Sequence, residues 1–291
     1  MRSRAHTRLT LFCLLSVALL LGSMTRAQAQ KEEGWRCIHP GLWLQIFEPE
    51  IQAGEIRLFI PVLKIDPGEY DFHLLAVSEN GEGNKTLPQW MEAHNLHAAI
   101  NASMFWKDQR TSTGFMRNYA HINNSYLHPK YEGFLVFNPI HPSLPQIQIV
   151  DREHHSNWKE ILDRYATVIQ SFRMISLHGE NVWEQSTKKY SVASVGITHQ
   201  GNVLFIFCQT PTTIHNLNNV LIGLPLDLKT CMFVEGGPTA GLSVDVNNLS
   251  RGWKGRSDNS IWPEVSSSFA RLPNVIGITP KDKDAKCSDK Q

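Results

Sequence analysis

The chain has 291 residues, with 28 Lys plus Arg against 27 Asp plus Glu and a formal net charge of +1 at pH 7. This balance, without a basic stripe, argues against a nucleic-acid-binding protein. The length suffices for one large domain or two small ones.

The first 29 residues predict a secretory signal peptide. Arg2, Arg4 and Arg8 form a basic start, an apolar run covers 9–22, and Ala-Gln-Ala at 27–29 is a small-residue cleavage site. A membrane anchor is the weaker alternative because the apolar run is shorter than the roughly 20 residues of a span. We therefore expect an exported protein, periplasmic or secreted, without stable membrane insertion. Its remaining chain carries 24 basic and 27 acidic residues.

Four cysteines follow the predicted signal peptide, namely Cys37, Cys208, Cys231 and Cys287. An even number in an exported chain permits two disulfides. A bond between Cys37 and Cys287 would join the chain ends, whereas Cys208 and Cys231 either pair or remain as buried thiols. The histidines are scattered, and neither H-x-x-x-H nor C-x-x-C occurs, so we expect no metal and no other cofactor.

Many short strands and few helices predict an α+β fold, a mixed β-sheet with interspersed helices. Strands are predicted at 41–48, 55–65, 72–77, 98–100, 133–138, 146–150, 191–198, 203–208, 232–234, 242–244 and 275–278. Helices are predicted at 86–94, 158–165 and 210–224, and a polar loop at 247–261. Residues 30–280 are predicted to form one compact domain, and 281–291 a loose tail.

The segment 232–241 is the most suggestive of a functional site. A buried strand at 232–234 ends in Glu235, and Gly236 and Gly237 follow. Because glycines allow close approach to the backbone, this turn would expose one carboxylate and free N–H groups to a polar ligand. An ordinary Gly-Gly turn with an exposed Glu is the alternative interpretation. Asn101 likewise follows a buried strand and enters an irregular turn.

Three segments, in order, resemble the phosphodiester glycosidase family. They are Ala-Ile-Asn-Ala-Ser-Met-Phe at 99–105 with Gly114 and Phe115 following, Ala-Ser-Val-Gly-Ile-Thr at 193–198 with the Gly201 turn, and Phe-Val-Glu-Gly-Gly-Pro-Thr at 233–239. The resemblance covers about 70–246. It implies one compact phosphodiester-glycosidase-like domain that removes a sugar from a sugar-1-phosphodiester. The sugar is N-acetylglucosamine in the uncovering-enzyme type, whereas the exported bacterial relatives are mostly of unknown substrate. The implied partner is a carbohydrate or sugar-phosphate substrate.

Three positions depart from the family pattern. Ser103 replaces a glycine, Glu235 replaces an Asp, and Val192-Ala193 occupy the places of an Arg-Thr pair. The first change is small, and the second keeps a carboxylate. The third removes a cation that could meet a phosphate. Arg173, inside an apolar run, either takes over that role or reaches the surface.

The resemblance implies roles for four candidate catalytic residues. Glu235 would act as base or nucleophile, Asn101 would orient the sugar, and Arg173 would meet the phosphate. His215 would be an acid, although a solvated helix-face histidine is the alternative. The candidate substrate-binding residues are Ser103, Phe105, Gly114, Ser194, Gly236, Gly237 and Thr239.

Asp245 is a possible second carboxylate for this chemistry, although turn chemistry explains its presence equally well.

A second hypothesis belongs to another class of protein. The same fold could have lost catalysis and serve as an exported glycan-binding or envelope-associated protein. Eight tryptophans and the Met104-Phe105-Trp106 run would suit sugar stacking, as would ordinary burial in a core. A metal-dependent hydrolase, the third interpretation, lacks ligand spacing.

Overall fold

The computed structural model describes residues 34–51, 56–257, 268–282 and Cys287. The predicted signal peptide, most of the predicted tail and part of the predicted 247–261 loop lie outside these residues. Among the residues described, no helix is long and apolar enough to cross a membrane. From Cys37 onward the chain forms one compact unit.

The elements of the described residues have the following bounds in chain order. They are β1 (Arg36–His39), β2 (Leu42–Phe47), β3 (Glu50–Ile51), β4 (Ile56–Arg57), β5 (Ile60–Ile65), β6 (Tyr70–Ala76), α1 (Val77–Asn80), α2 (Leu87–His94), β7 (Ala98–Asn101), β8 (Met116–Asn118), β9 (His121–Asn124), β10 (Gly133–Pro139), β11 (Ile147–Asp151), α3 (Trp158–Leu162), β12 (Tyr165–Ser171), β13 (Arg173–Ile175), β14 (Tyr190–Thr198), β15 (Val203–Thr212), α4 (Ile214–Gly223), β16 (Leu228–Gly236), a 3-10 turn (Gly237–Thr239), β17 (Gly241–Val246), β18 (Leu249–Lys254) and β19 (Asn274–Pro280).

Three large sheets and one short ribbon contain these strands. The described part of the first sheet has seven strands in the order β1-β2-β5-β15-β14-β16-β13. Two five-stranded sheets have the orders β11-β10-β12-β8-β9 and β18-β17-β7-β19-β6, and β3 pairs with β4. Strands dominate and helices are few, which confirms the predicted α+β class with a single compact domain.

One apolar core receives side chains from all three large sheets. Val195 and Phe205 enter it from the seven-stranded sheet, Leu135 from one five-stranded sheet, and Ile276 from the other. All four side chains are fully buried. Burial of this apolar surface is the main driving force that holds the three sheets together.

The register of the seven-stranded sheet brings the start of β14 and the ends of β15 and β16 to the same end of the sheet. β14 is antiparallel to both β15 and β16, so its first residues lie beside the last residues of its neighbours. Tyr190 pairs with Thr212, and Val192 pairs with Gly236. Glu235, opposite Ala193, is therefore one residue from the end of the sheet.

The 3-10 turn connects two sheets. β16 belongs to the seven-stranded sheet, whereas β17, which follows the turn, pairs with β7 in a five-stranded sheet. Leu242 lies opposite Ile100, so the end of β7 meets the start of β17. The register thus brings Asn101 to the turn that follows Glu235.

Most predicted elements are present. The start of α2 has a clear chemical cause. Thr86 accepts a hydrogen bond from the N–H of Gln89, and the Gln89 side chain accepts one from the N–H of Thr86. This capping box, with Pro88 in the first turn, starts the helix as predicted.

Several predicted bounds were wrong. The helix predicted at 158–165 ends at Leu162, because Tyr165 already pairs with Pro139 in a sheet. The helix predicted to begin at 210 begins at Ile214, because β15 continues to Thr212. The predicted 247–261 loop contains β18, which pairs with β17.

Of the cysteines, Cys37 and Cys287 form a disulfide, whereas Cys208 and Cys231 are buried free thiols. Cys208 lies opposite Val192 and Cys231 opposite Gly196 on the intervening β14. These positions are four residues apart, about 13 Å along a strand, which is too far for a disulfide. Burial raises the pKa of each thiol to about 12.

Gly255 supports the turn that follows Glu235. Its N–H donates to the Ala240 carbonyl at 2.8 Å, and a Cβ there would lie 2.0 Å from the Gly237 oxygen. Because both neighbours are backbone, the turn would have to move. We expect Gly255→Ala to lower the free energy of unfolding by roughly 1–3 kcal/mol in urea denaturation.

Gly223→Ala is the matched control, since no atom lies within 4 Å of a Cβ built there. It should change the free energy of unfolding by less than about 1 kcal/mol. Equal stability of the two variants would contradict the proposed close packing under the turn.

Candidate active site

Glu235 is a buried carboxyl group at the end of β16. Its exposed fraction is 7%. The N–H of the next residue, Gly236, donates to Oε1 at 2.9 Å. The Thr239 hydroxyl donates to the Gly236 carbonyl at 3.2 Å and also interacts with the Glu235 carboxyl group. The turn therefore bends back over the carboxyl group, instead of leaving it exposed as the ordinary-turn interpretation supposed.

Burial raises the pKa of Glu235 to about 7. The hydrogen bonds from the Gly236 N–H and the Thr239 hydroxyl favour the ionised form and lower the pKa, but they offset only part of the desolvation. A carboxyl group with a pKa near neutrality exchanges a proton readily at physiological pH, which is typical of catalytic acids and bases.

Asn101 holds the turn in place. Its Oδ1 accepts a hydrogen bond from the Gly241 N–H at 2.8 Å, and its Nδ2 donates to the Thr239 carbonyl at 3.0 Å. Asn101 is 1% exposed. Both ends of the amide are thus engaged by backbone, so the residue positions the turn. The predicted contact with a sugar is not supported by this arrangement.

Aromatic rings enclose the turn. A Cβ on Gly236 would lie 2.7 Å from the Tyr190 ring and 3.2 Å from the Phe233 ring, so only glycine leaves room there. Gly237 has φ +73°, a conformation that suits glycine, and no atom lies within 4 Å of a Cβ built on it. The turn is therefore crowded at Gly236, whereas Gly237 is buried and is suited to its position by its backbone conformation.

A row of aromatic rings ends at Phe233 on β16, near Glu235. The ring of Phe172 lies 4.3 Å from that of Tyr131 and 5.2 Å from that of Trp183. The ring of Trp183 lies 5.9 Å from the ring of Phe233, which is two residues before Glu235. Burial raises the pKa of Tyr131, and the charge of Glu235 raises it further, which places Tyr131 near the carboxylate. Half-buried Phe172 and Trp183 offer a surface on which a sugar ring could stack.

Arg173 does not reach this turn, so its predicted role with a phosphate needs correction. Its Nη1 binds both Asp151 oxygens at 2.7 and 3.0 Å, and its Nη2 binds Glu132 at 2.9 Å and also Glu153. Arg173 is 8% exposed. Three carboxylates already surround the guanidinium, so an incoming phosphate would have to displace them.

The same cluster contains the described residues that could ligate a metal. Ligand atoms of Asp151, Glu153 and His154 lie within 4.8 Å of one another. His154 Nδ1 is 2.9 Å from Asp151. Burial alone would raise the pKa of Asp151, yet the bonds and charge of Arg173 hold it below its usual value. A cation, the guanidinium, already neutralises these acids, so the arrangement is better suited to a structural ion-pair network than to a metal site.

Several candidate substrate-binding residues have structural roles instead. Ser194 is fully buried on β14, between Ile206 and Phe233, and presents no surface to a ligand. A Cβ on Gly114 would lie 2.8 Å from the Tyr131 ring, so close packing explains the glycine.

Two further candidates pack against neighbouring elements. Ser103 is 2% exposed, and its N–H donates to Asn274 Oδ1 at 3.1 Å. Phe105 packs with the apolar side chains around α2. Of the predicted binding residues, Gly236, Gly237 and Thr239 thus remain at the carboxylate.

His215 is the second residue of α4. Its Nδ1 lies 2.6 Å from the Trp183 carbonyl, which can only accept, so Nδ1 carries a proton and the other ring nitrogen is left for solvent or a ligand. The described hydrogen bonds do not join His215 to Glu235. A general-acid role is therefore not supported by its contacts.

Asp245 lies away from the carboxylate. Gly241 binds Asn101 at the start of β17, and Asp245 is four residues further along the strand, a distance of about 13 Å. Its N–H donates to the His97 carbonyl at the far end of β7. The structure therefore does not place it as a second carboxylate for Glu235.

The sequence interpretation missed the aromatic residues around Glu235. Tyr131, Phe172, Trp183 and Tyr190 lie in separate segments that only the fold brings together. Two features of the sequence could have pointed to them. Phe172 directly precedes the candidate residue Arg173, and Tyr190 lies shortly before the 193–198 motif.

Comparisons with known proteins identify the family and the fold. The sequence model of the phosphodiester glycosidase family matches residues 94–279, well over half of the chain. The protein therefore belongs to the phosphodiester glycosidase family, as the resemblance predicted. No curated protein sequence matches the chain.

Solved structures that share the fold include those of two proteins. The zebrafish N-acetylglucosamine-1-phosphodiester alpha-N-acetylglucosaminidase catalytic domain, auto-inhibited by its pro-peptide, has a TM-score of 0.58 and 8% identity, over 84% of this chain and 85% of its own. A hypothetical protein from Synechocystis has a TM-score of 0.55 and 13% identity, over 82% of this chain and 62% of its own. This chain thus spans less than two thirds of the Synechocystis protein. At these identities the similarity shows the fold alone.

The raised pKa of Glu235 predicts a pH-dependent effect on stability. Between pH 4.5, the ordinary value, and pH 7, the folded protein holds a proton that the unfolded chain has lost. The free energy of unfolding therefore falls as pH rises through this window, by up to about 3 kcal/mol from this group. Glu235→Gln removes the carboxyl group and with it this pH-dependent loss of stability. The variant should therefore gain stability relative to the wild type as pH rises across the same window.

Urea denaturation at several pH values measures this difference. Glu160→Gln, which removes an exposed carboxyl group on α3, is the matched control. A stability difference between Glu235→Gln and wild type that is the same at pH 4.5 and pH 8 would contradict the raised pKa.

Proposed function

We propose that this protein is an exported glycosidase that hydrolyses a sugar-1-phosphodiester at the anomeric carbon. Glu235 is the catalytic carboxylate. The observation that carries the proposal is a buried carboxyl group with a pKa of about 7, followed by a Gly-Gly turn and flanked by aromatic side chains. Membership of the phosphodiester glycosidase family supports the same reaction class.

The chemistry requires little from an acid. Breaking the bond between the anomeric carbon and the phosphate oxygen releases a phosphomonoester, whose second pKa is near 6. Such a leaving group departs without full protonation, so one carboxylate can suffice where other glycosidases need two. Water supplies a hydroxyl group to the anomeric carbon and a proton to the product phosphate or the buffer.

Glu235 acts in its ionised form, as a nucleophile at the anomeric carbon or as the base that activates the water. Its burial disfavours a lone negative charge, so the oxocarbenium-like transition state, which is positively charged, is stabilised beside it. The Gly236 N–H holds one carboxylate oxygen at 2.9 Å and leaves the other to react. Asn101 contributes by positioning the turn.

N-acetylglucosamine is the sugar we favour. The proposal draws on the printed activity of the zebrafish protein that shares the fold. Phe172 and Trp183, both half-buried, offer stacking surfaces to the apolar face of a pyranose ring.

An exported location follows from two features. The first 29 residues have the pattern of a signal peptide, and the Cys37–Cys287 disulfide suits an oxidising compartment. We propose that the protein is secreted or periplasmic.

A glycan-binding protein without catalysis is the second candidate. The specific observation in its favour is that Arg173, the expected phosphate partner, is occupied by three carboxylates. The aromatic row would still bind a sugar. Turnover separates the candidates, since a binding protein retains glycan and releases no sugar.

The test of Glu235 is hydrolysis of UDP-N-acetylglucosamine and the methyl phosphodiester of N-acetylglucosamine-1-phosphate. We expect Glu235→Gln to lower kcat/KM by about 10²–10⁴-fold, because the amide can neither attack nor accept a proton. For the wild type, kcat/KM should rise with pH and level off above an apparent pKa of about 7, as the carboxyl group ionises.

Asp245→Asn is the matched control, since this exposed carboxylate lies at the other end of β17. It should retain wild-type rates. Full activity of Glu235→Gln, or a wild-type rate that falls as pH rises through 7, would refute the assignment.

A further inference from the structure

A polar cavity of about 550 Å³ lies beyond the edge of the seven-stranded sheet where β14 begins and β15 ends. Its lining includes Gln185, Ser186, Thr187, Lys189, Thr213 and His215. The volume is typical of small-molecule sites, but the lining lacks the apolar side chains that most such sites contain. Hydroxyl, amide and ammonium groups make it suitable for a ligand rich in hydrogen-bonding groups.

The cavity adjoins the turn that carries Glu235. Lys189 immediately precedes Tyr190, whose ring lies against Gly236, and Thr213 immediately follows Thr212, the strand partner of Tyr190. A residue of the cavity lining is therefore the direct chain neighbour of the residue whose ring packs on Gly236.

Trp183 does not line the cavity itself, but it connects the aromatic row to His215, which does. Its ring faces Phe233 at 5.9 Å, on the Glu235 side, while its carbonyl accepts a hydrogen bond from His215, which lines the cavity. The segment 183–189 thus contributes Trp183 to the aromatic row and several side chains to the lining of the polar cavity. A substrate that spans both would place an apolar ring face on one side and polar groups on the other.

The charge of the cavity comes from Lys189. This side chain is half-buried, and within the described ranges no carboxylate is paired with it. Among the described hydrogen bonds none involves the other nitrogen of the His215 ring, which can accept a bond from a ligand hydroxyl group. Ser186 and Thr187 supply hydroxyl groups. The set is complementary to a phosphate ester with hydroxyl groups nearby.

We propose that this cavity is the aglycone subsite, which holds the phosphate-bearing alcohol beyond the scissile bond, with Lys189 as its anion-binding residue. The inference rests on the proposed function, because it takes Glu235 as the reacting centre. It also assigns to Lys189 the charge role that Arg173 cannot fill, and it makes His215 a binding residue. The subsite selects substrates whose aglycone is polar and anionic.

Two substrates with the same sugar separate charge recognition from catalysis. UDP-N-acetylglucosamine has an anionic, polar aglycone, whereas nitrophenyl N-acetylglucosaminide has a neutral one. For Lys189→Ala we expect the ratio of the KM for the first substrate to the KM for the second to rise about tenfold, with kcat for the first retained. Lys188→Ala, the matched control on an exposed neighbouring lysine, should leave the ratio at its wild-type value.

An equal effect of Lys189→Ala on both substrates, or no effect on either, would overturn the subsite while leaving the glycosidase activity intact. Release of no sugar by the wild type would instead count against the proposed function. In that case calorimetric titration with uridine monophosphate tests the cavity alone. Binding by wild type and Lys188→Ala that is lost in Lys189→Ala would support the subsite, and equal binding by all three, or binding by none, would refute it.

Discussion

The burial of one carboxyl group at the end of a β-strand is the constraint on which this structure depends. Glu235 is 7% exposed, and burial raises its pKa to about 7. The chain tolerates this cost because the Gly236 N–H and the Thr239 hydroxyl contact the carboxylate. Those contacts exist only while the turn keeps its shape, and Asn101 fixes that shape from a different sheet. The proposed reactivity and the fold are thus properties of the same few hydrogen bonds.

Two sheets supply different residues to the turn, because a strand of each sheet ends there. The seven-stranded sheet delivers Glu235, and a five-stranded sheet delivers Asn101 to hold the turn in place. The aromatic row reaches Phe233, two residues before Glu235. The polar cavity is lined by Lys189, which precedes the Tyr190 ring packed on Gly236. An acidic reacting group, an apolar surface and a cation at neighbouring positions match the three parts of a sugar phosphodiester.

Much of this arrangement could be predicted from the sequence, and the reasons for the failures are physical. The strand that ends in Glu235 has a strong local pattern, and the ordered motifs identify the family. Arg173 could not be assigned, because its partners Asp151, Glu132 and Glu153 come from other segments. Asn101 was correctly placed at a strand end, but its two backbone partners lie about 140 residues away. β18 was missed because its polar residues form an edge strand, where pairing with β17 overrides propensity.

The most direct measurement of the central claim is hydrolysis of a sugar-1-phosphodiester in water labelled with heavy oxygen, followed by mass spectrometry of the products. If Glu235 directs attack at the anomeric carbon, the label enters the released sugar and the phosphate product stays unlabelled. Label in the phosphate would show attack at phosphorus. A carboxylate poised beside a sugar-stacking surface would then not be the reacting group, and the account given for Glu235 would be wrong.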